Sequence, residues 1–248
     1  MTKQVTYPSI GEKRDKAVDW MIGEFLIWDT ARRFIDGLQY GRYNSQQTTW
    51  VTEPSEPGVS RVTVNLLLPI YNRLQSMLSV VVPYVGVRPA SMTTPDMISA
   101  KTEAAMIQYL WEQTKTPDKM RDANRWLIVT GNSFLHTFYN PETSKVDVEV
   151  VAPYDILVQE GVSDIHDSEW LIKRSYLYES VIQRTYPKID LSKVTPISIR
   201  AGEERNNFTY ASNIALGEDR YEVLECWDRG GKKHQILIGD QVAWEAKK

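Results

Sequence analysis

The side chains best suited to chemistry gather in one stretch: Asp164, His166 and Asp167 lie close together, with Asp147 and Glu149 on a nearby predicted strand. Carboxylates and imidazole at such spacing are donors for metal-assisted hydrolysis, and two-metal nucleases use groups of this kind. A simpler account covers the same residues. Gly161 to Ser168 is a polar loop before a strand, where Asp and Ser serve turn formation. Asp147 and Glu149 alternate with Val146, Val148 and Val150, the pattern of a half-buried strand with one face in solvent. A metal-dependent nuclease predicts DNA cleavage that is lost on Asp164→Ala or Asp167→Ala.

Nucleophilic and nucleotide chemistry find no motif. There is no G-x-S-x-G elbow, and Gly131, Asn132, Ser133 has the wrong spacing for one. Cys226 is the single cysteine; between Glu225 and Trp227 on a strand it reads as a small buried side chain. One cysteine and three scattered histidines have no zinc-site spacing, and neither a G-x-x-x-x-G-K nor a G-x-G-x-x-G cradle is present. No catalytic, cofactor-binding or metal-binding residue is therefore assigned, no cofactor is expected, and the chain is read as a non-enzyme. Arg32, Arg33 and Arg42, interleaved with Phe34, Tyr40 and Tyr43, come nearest to a nucleic-acid patch. Pairing with Asp29 and Asp36 on a solvated helix face accounts for them more simply. Lys232, Lys233, Lys247 and Lys248 read as turn and end residues.

The elements that would carry these residues follow from periodicity. Val18, Ile22, Phe25, Trp28, Ile35 and Leu38 recur at helical steps and predict an amphipathic helix over 15–38. Residues 39–60, polar and broken by Pro54 and Pro57, predict a loop. A second helix is expected from about Asn65 to Ser79, followed by an extended piece over 80–89. A third begins at Pro95 with Met97, Ala100, Ala104, Ile107 and Trp111 on one stripe, and a fourth covers 118–130 and closes at Gly131. Four helices thus precede the first strand pair.

Beyond Gly131 the period changes to two. A hairpin is expected from Phe134–Tyr139 and Val146–Val150, then strands at 156–158 and 169–176, a short helix over 179–186 stopped by Pro187, and a last hairpin, 221–228 with 234–238. Residues 188–220 show neither period and predict a long loop. The expected fold class is α+β: amphipathic N-terminal helices packed with a small mixed or antiparallel sheet. Residues 1–131 form the mainly helical portion and 132–248 the β-rich one.

Composition limits the partners. The chain has 248 residues, 29 basic against 32 acidic, so no global positive field attracts a polyanion. Eight Trp and thirteen Tyr favour large buried areas in cores and subunit contacts. The N-terminus lacks a signal-peptide core, and Arg73 and Pro83 interrupt the most apolar stretch, so no membrane span is expected.

Several pieces, in order, resemble the portal proteins of tailed bacteriophages, particularly the long-chain kind of podovirus-like heads. An N-terminal helix leads to Tyr40, Gly41, Arg42, Tyr43. Val64, Asn65, Leu66 opens a helix that runs into Val82, Pro83, Tyr84, Val85, Gly86, Val87, Arg88, Pro89. A helix with Ala100, Glu103 and Ala104 precedes one with Ala123 that exits through Gly131, Asn132, Ser133, Phe134. Val150, Val151, Ala152, Pro153, Tyr154, Asp155 is similar to the family's valine-rich strand and Pro-aromatic-Asp turn. Tyr221 to Trp227 is similar to its later aromatic-ended strand.

The resemblance implies a structural subunit of a homo-oligomeric, dodecameric ring at the capsid vertex of a virion, made in the host cytoplasm. That ring is the conduit for genome packaging and ejection and the site of head–tail attachment. Its partners would be the major capsid protein, the terminase, tail adaptor or neck proteins, and double-stranded DNA passing through the channel. The family's stem, clip and crown are absent, so what remains resembles the peripheral wing, and the chain would be a truncated, split or fragmentary form. The nearest alternative is another head or neck structural protein; a metal-dependent nuclease is the more distant one.

Overall fold

The computed structural model describes residues 9–45, 49–52, 58, 61–80, 85–140, 143–162, 164–198 and 219–246. The fold class is α+β, with helices and small antiparallel sheets in two compact units. The first unit comprises residues 1–30, 39–61 and 154–248, and the second 31–38 and 62–153.

Helix α1 spans Ile10–Ile35 and starts five residues before the expected position because Ser9 and Glu12 form a capping box. The Glu12 N–H donates to Ser9 Oγ (3.2 Å) and the Ser9 N–H to Glu12 Oε2 (2.9 Å). Its buried stripe is Ala17, Met21, Phe25 and Trp28, whereas Ile22 and Leu38, expected inside, are exposed. The face is rotated because Tyr154 offers an aromatic surface to Phe25 and Trp28, with ring centroids 5.4 and 5.3 Å away.

In the first unit, strand β1 (Gly41–Asn44) pairs with β2 (Thr49–Thr52), within the stretch expected to be a loop. A strand pair therefore precedes the second helix. Tyr43 and Trp50 face each other across this hairpin at 5.9 Å, a cross-strand aromatic pair that holds two short strands together.

The second unit is built on three helices, α2 (Leu67–Val80), α3 (Thr94–Gln113) and α4 (Thr116–Thr130), and the hairpin β3 (Phe134–Asn140) with β4 (Lys145–Val151). Helices α2 and α3 and strand β4 all pack against α4. Asn65 caps α2: its Oδ1 accepts the N–H groups of Leu67 and Leu68, while its Nδ2 donates to the Ile35 carbonyl (2.6 Å). Of the expected extended piece over 80–89, Val80 is the last residue of α2, residues 81–84 lie outside the described residues, and 85–89 have no regular structure.

Gly131 ends α4 in the left-handed conformation (φ 76°), and its N–H donates to the Leu127 carbonyl. A Cβ added there meets nothing within 4 Å, so Gly131→Ala tests backbone strain alone. We expect the loss of about 1 kcal/mol in urea denaturation, with the fold unchanged by circular dichroism.

The main sheet of the first unit uses β5 (Ile156–Val158), β6 (Trp170–Leu177), β8 (Asp219–Asp228), β9 (Lys233–Ile238) and β10 (Gln241–Glu245), with β7 (Ile197–Ser198) on the start of β8. The order is β10-β9-β8-β6-β5 and every pairing is antiparallel. Alternation places Trp170, Ile172, Arg174 and Tyr176 on the buried face of β6. Helix α5 (Glu179–Thr185) closes a second cluster of Ile182, Tyr221, Val223 and Ile238. Within the expected loop over 188–220, a 3-10 turn (Leu191–Lys193), β7 and the first two residues of β8 are ordered elements, and 199–218 lie outside the described residues.

Candidate functional site

The acidic cluster is a turn. Asp164 caps the 3-10 turn Ile165–Asp167, accepting the His166 N–H at 2.9 Å, and the His166 carbonyl accepts from Arg229. Asp164, His166 and Asp167 are all exposed. Asp147 and Glu149 belong to the second unit on β4, where each has its own partner. The Lys119 ammonium donates to Asp147 at 2.7 Å and holds that carboxyl below its ordinary value, and Glu149 lies 2.9 Å from His136 Nδ1. Among the described residues no group of three or more His, Cys, Asp or Glu could hold a metal ion.

The other candidates also have structural duties. Cys226 is buried in β8, and burial, with Asp228 nearby, pushes its thiol up to about 11, away from the reactive thiolate. Gly131, Asn132 and Ser133 form the exit from α4; the Asn132 N–H donates to Thr130 Oγ1 (3.3 Å). Arg32 and Arg33 occupy the last turn of α1, where positive charge complements the helix dipole. Arg42 is exposed on β1, and the Arg61 guanidinium lies over Tyr40, 5.0 Å from the ring centroid. Lys232 takes φ 50° in the β8–β9 turn, Lys233 opens β9 with its Nζ 3.8 Å from Glu245, and Lys247 and Lys248 lie outside the described residues.

Two features were not anticipated. The first is a buried polar cluster on the inner face of the main sheet. Arg174 on β6 donates to the Tyr154 carbonyl at 2.6 Å and lies 3.7 Å from Asp155 Oδ1. Tyr176 follows two residues later on the same face, its strand partner is Glu222, and Glu222 accepts from Arg14 of α1 at 2.5 Å. Burial pushes the Asp155 carboxyl up to about 6, with Glu222 adding to the rise and Arg174 opposing it. Burial likewise pushes the Tyr176 phenol upward. The parity of β6 is the signal that could have placed Arg174 inside: it lies in phase with Trp170, Ile172 and Tyr176, on the side a strand hides.

A carboxyl whose folded pKa exceeds its ordinary 3.8 binds its proton more tightly in the folded state. Below pH 4 both states are protonated and nothing is lost; between pH 4 and 6 the unfolded chain ionises first, so stability falls as pH rises. The fall attributable to Asp155 is about 3 kcal/mol across that window. Asp155→Asn should remove it, which urea titrations at pH 4 and 6.5 would show as a smaller pH difference in the variant than in the parent.

The second feature is the outer surface of α2. No residue of this helix is buried, and its half-covered positions are Tyr71, Gln75 and Ser79. Leu67, Ile70, Leu74 and Met77 lie open, 44, 55, 44 and 61% exposed. Their three- and four-residue spacing is that of a seam which packs against another helix. Exposed apolar side chains at such spacing are the kind of surface that interaction sites use. Across the described residues, no helix is long and apolar enough to cross a membrane.

No family model matches the chain, and no curated protein matches it.

Proposed function

We propose that the chain is the wing-like part of a tailed-phage portal subunit, a structural member of a homo-oligomeric ring through which the genome is packaged and ejected. The observation that carries this reading is where the portal-like pieces fall. Asn65 caps α2, Gly131 closes α4 into β3, and Pro153–Asp155 forms the 3-10 turn whose Tyr154 is fully buried beside α1. Each of these three lies at a joint between elements, where the backbone path depends on a particular residue type.

Two further properties agree with a conduit. Formal net charge is -3, and DNA that must slide through a ring is slowed by phosphate-neutralising contacts, which a weakly acidic subunit does not offer. The open seam on α2 suits a protein that packs against neighbours. In this reading the work is structural and no residue is catalytic. The capsid shell, the terminase, tail adaptors and DNA are the partners, and the virion vertex is the location.

Cryo-electron microscopy of the native assembly containing this chain tests the proposal. A cyclic ring at a DNA-filled vertex, with this chain on its periphery, is the expected result. A monomer, or a position away from any vertex, would overturn it.

A further inference from the structure

At the 3-10 turn Pro153–Asp155 the chain leaves the second unit and re-enters the first. Its hold on the first unit is narrow. The strand that follows, β5, has three residues, lies at the edge of the main sheet and pairs with β6 alone among the described residues. The other ties are the Tyr154 ring, packed on Phe25 and Trp28 of α1, and the Tyr154 carbonyl, which accepts from Arg174.

Asp155 sits inside this hold, 7% exposed, and its Oδ1 accepts no hydrogen bond. Arg174 Nη2 is 3.7 Å away, beyond hydrogen-bond reach, and donates instead to the Tyr154 carbonyl at 2.6 Å. The charged and titratable groups around Asp155, among the described residues, are Arg174 and Tyr176 of β6, Glu222 of β8 and Arg14 of α1. Arg14 is taken up by Glu222 at 2.5 Å, and the buried Tyr176 hydroxyl makes no hydrogen bond. A carboxylate buried in this way is costly until it takes up a proton or reaches water.

We propose that Asp155 makes the Pro153–Asp155 turn a proton-operated latch, closed while the carboxyl is protonated and opening locally, with Tyr154 lifting from Phe25 and Trp28, once it is ionised. Opening relieves two costs of the closed, ionised turn: the charge is returned to water, and it moves away from Glu222, whose repulsion of Asp155 Arg174 only partly offsets. The pairing of β6 with β8 and the Arg14–Glu222 ion pair do not pass through the turn, so they stay in place as it opens. A short edge segment held by few ties is where local opening precedes global unfolding. Burial pushes the Asp155 carboxyl up to about 6 from 3.8, so closing takes up a proton. The proton-linked part of the hold is complete below pH 4 and is lost as pH rises to about 6. The latch acts within the folded protein and does not depend on the portal reading.

Amide hydrogen exchange of the full chain, read residue by residue by NMR and corrected for the intrinsic rate at each pH, tests it. Protection of Tyr154, Asp155, Ile156 and Leu157 should fall about 100-fold between pH 4 and pH 6.5. At pH 6.5 these amides should exchange ahead of those of Leu224, Glu225 and Cys226 at the centre of the sheet. Asp155→Asn, which cannot ionise, should show the same protection at both pH values. Protection at the turn that does not change with pH in the parent would overturn the proposal, whatever the variant does. So would exchange at the turn that occurs only together with the centre of β8, which is global unfolding, or a fall of the same size in Asp155→Asn, which would place the titrating group elsewhere.

Discussion

Replacing Arg174 by methionine is expected to destabilise the protein by about 3 kcal/mol or more at pH 8, because it leaves the Asp155 carboxylate buried without its cation and the Tyr154 carbonyl without its donor. Methionine fills similar volume on the inner face of β6, so little of the loss comes from a cavity. The size of the loss should depend on pH. Arg174 is the group that lowers the Asp155 pKa against burial, so its removal raises that pKa further and the buried carboxyl takes up a proton. At pH 5 only the lost hydrogen bond to the carbonyl remains, about 1–3 kcal/mol. Urea denaturation at both pH values checks the difference. Arg174→Met combined with Asp155→Asn should recover part of the loss at pH 8, the mark of a coupled pair. Equal losses at pH 5 and pH 8 would mean that Asp155 is not the group left exposed to the change.

Phe25→Ala should cost about 3–5 kcal/mol, the usual range for deleting a fully buried aromatic ring. Phe25 contacts Trp28 and Tyr154, at 5.5 and 5.4 Å between centroids, so the cavity opens in the middle of an aromatic trio with no small side chain among its members. Ile22→Ala, one turn away on the exposed side, should change stability by less than about 0.5 kcal/mol. Thermal or urea unfolding of the pair measures which stripe of α1 is inside; similar losses for both would reject the packing described here.

The pair also shows what the sequence could and could not convey. The fold class, helices α3 to α5, the hairpin β3–β4 and the strand around Trp170 were legible because a local signal marks each element: a Pro near the start or just past the end, a Gly at the close, or alternation. Helix α1 was legible as a helix, but its inward stripe was not. The helix is apolar around much of its circumference, with Trp20, Ile22 and Ile27 exposed, so periodicity alone does not choose a face. The choice is made by Tyr154, a residue far along the chain. The capping box at Ser9 and Glu12 was readable in principle, being a short local pattern.

The hairpin β1–β2 was missed for the opposite reason. Four-residue strands amid polar residues carry almost no periodic signal, and the pairing is held by Tyr43 and Trp50. As for the site, the turn that carries Asp164, His166 and Asp167 could be read from its Gly-, Asp- and Ser-rich surroundings. The cluster around Arg174 could not be assembled, because Arg14, Asp155, Arg174 and Glu222 come from four separate elements.

The first unit draws its parts from both ends of the chain, while most of the second is the continuous stretch from Val62 to Pro153. On the ribosome this imposes an order. The helices and hairpin between Leu67 and Val151 emerge together and can condense through local contacts while synthesis continues. Phe25 and Trp28 leave the tunnel early yet must wait for Tyr154, and Lys13 and Arg14 for Asp228 and Glu222, before their partners exist. Until Tyr154 has emerged, Phe25 and Trp28 on the apolar stripe of α1 lack the ring that covers them. That interval is when a holding chaperone would act, and when a stalled or prematurely terminated product would be most prone to aggregate.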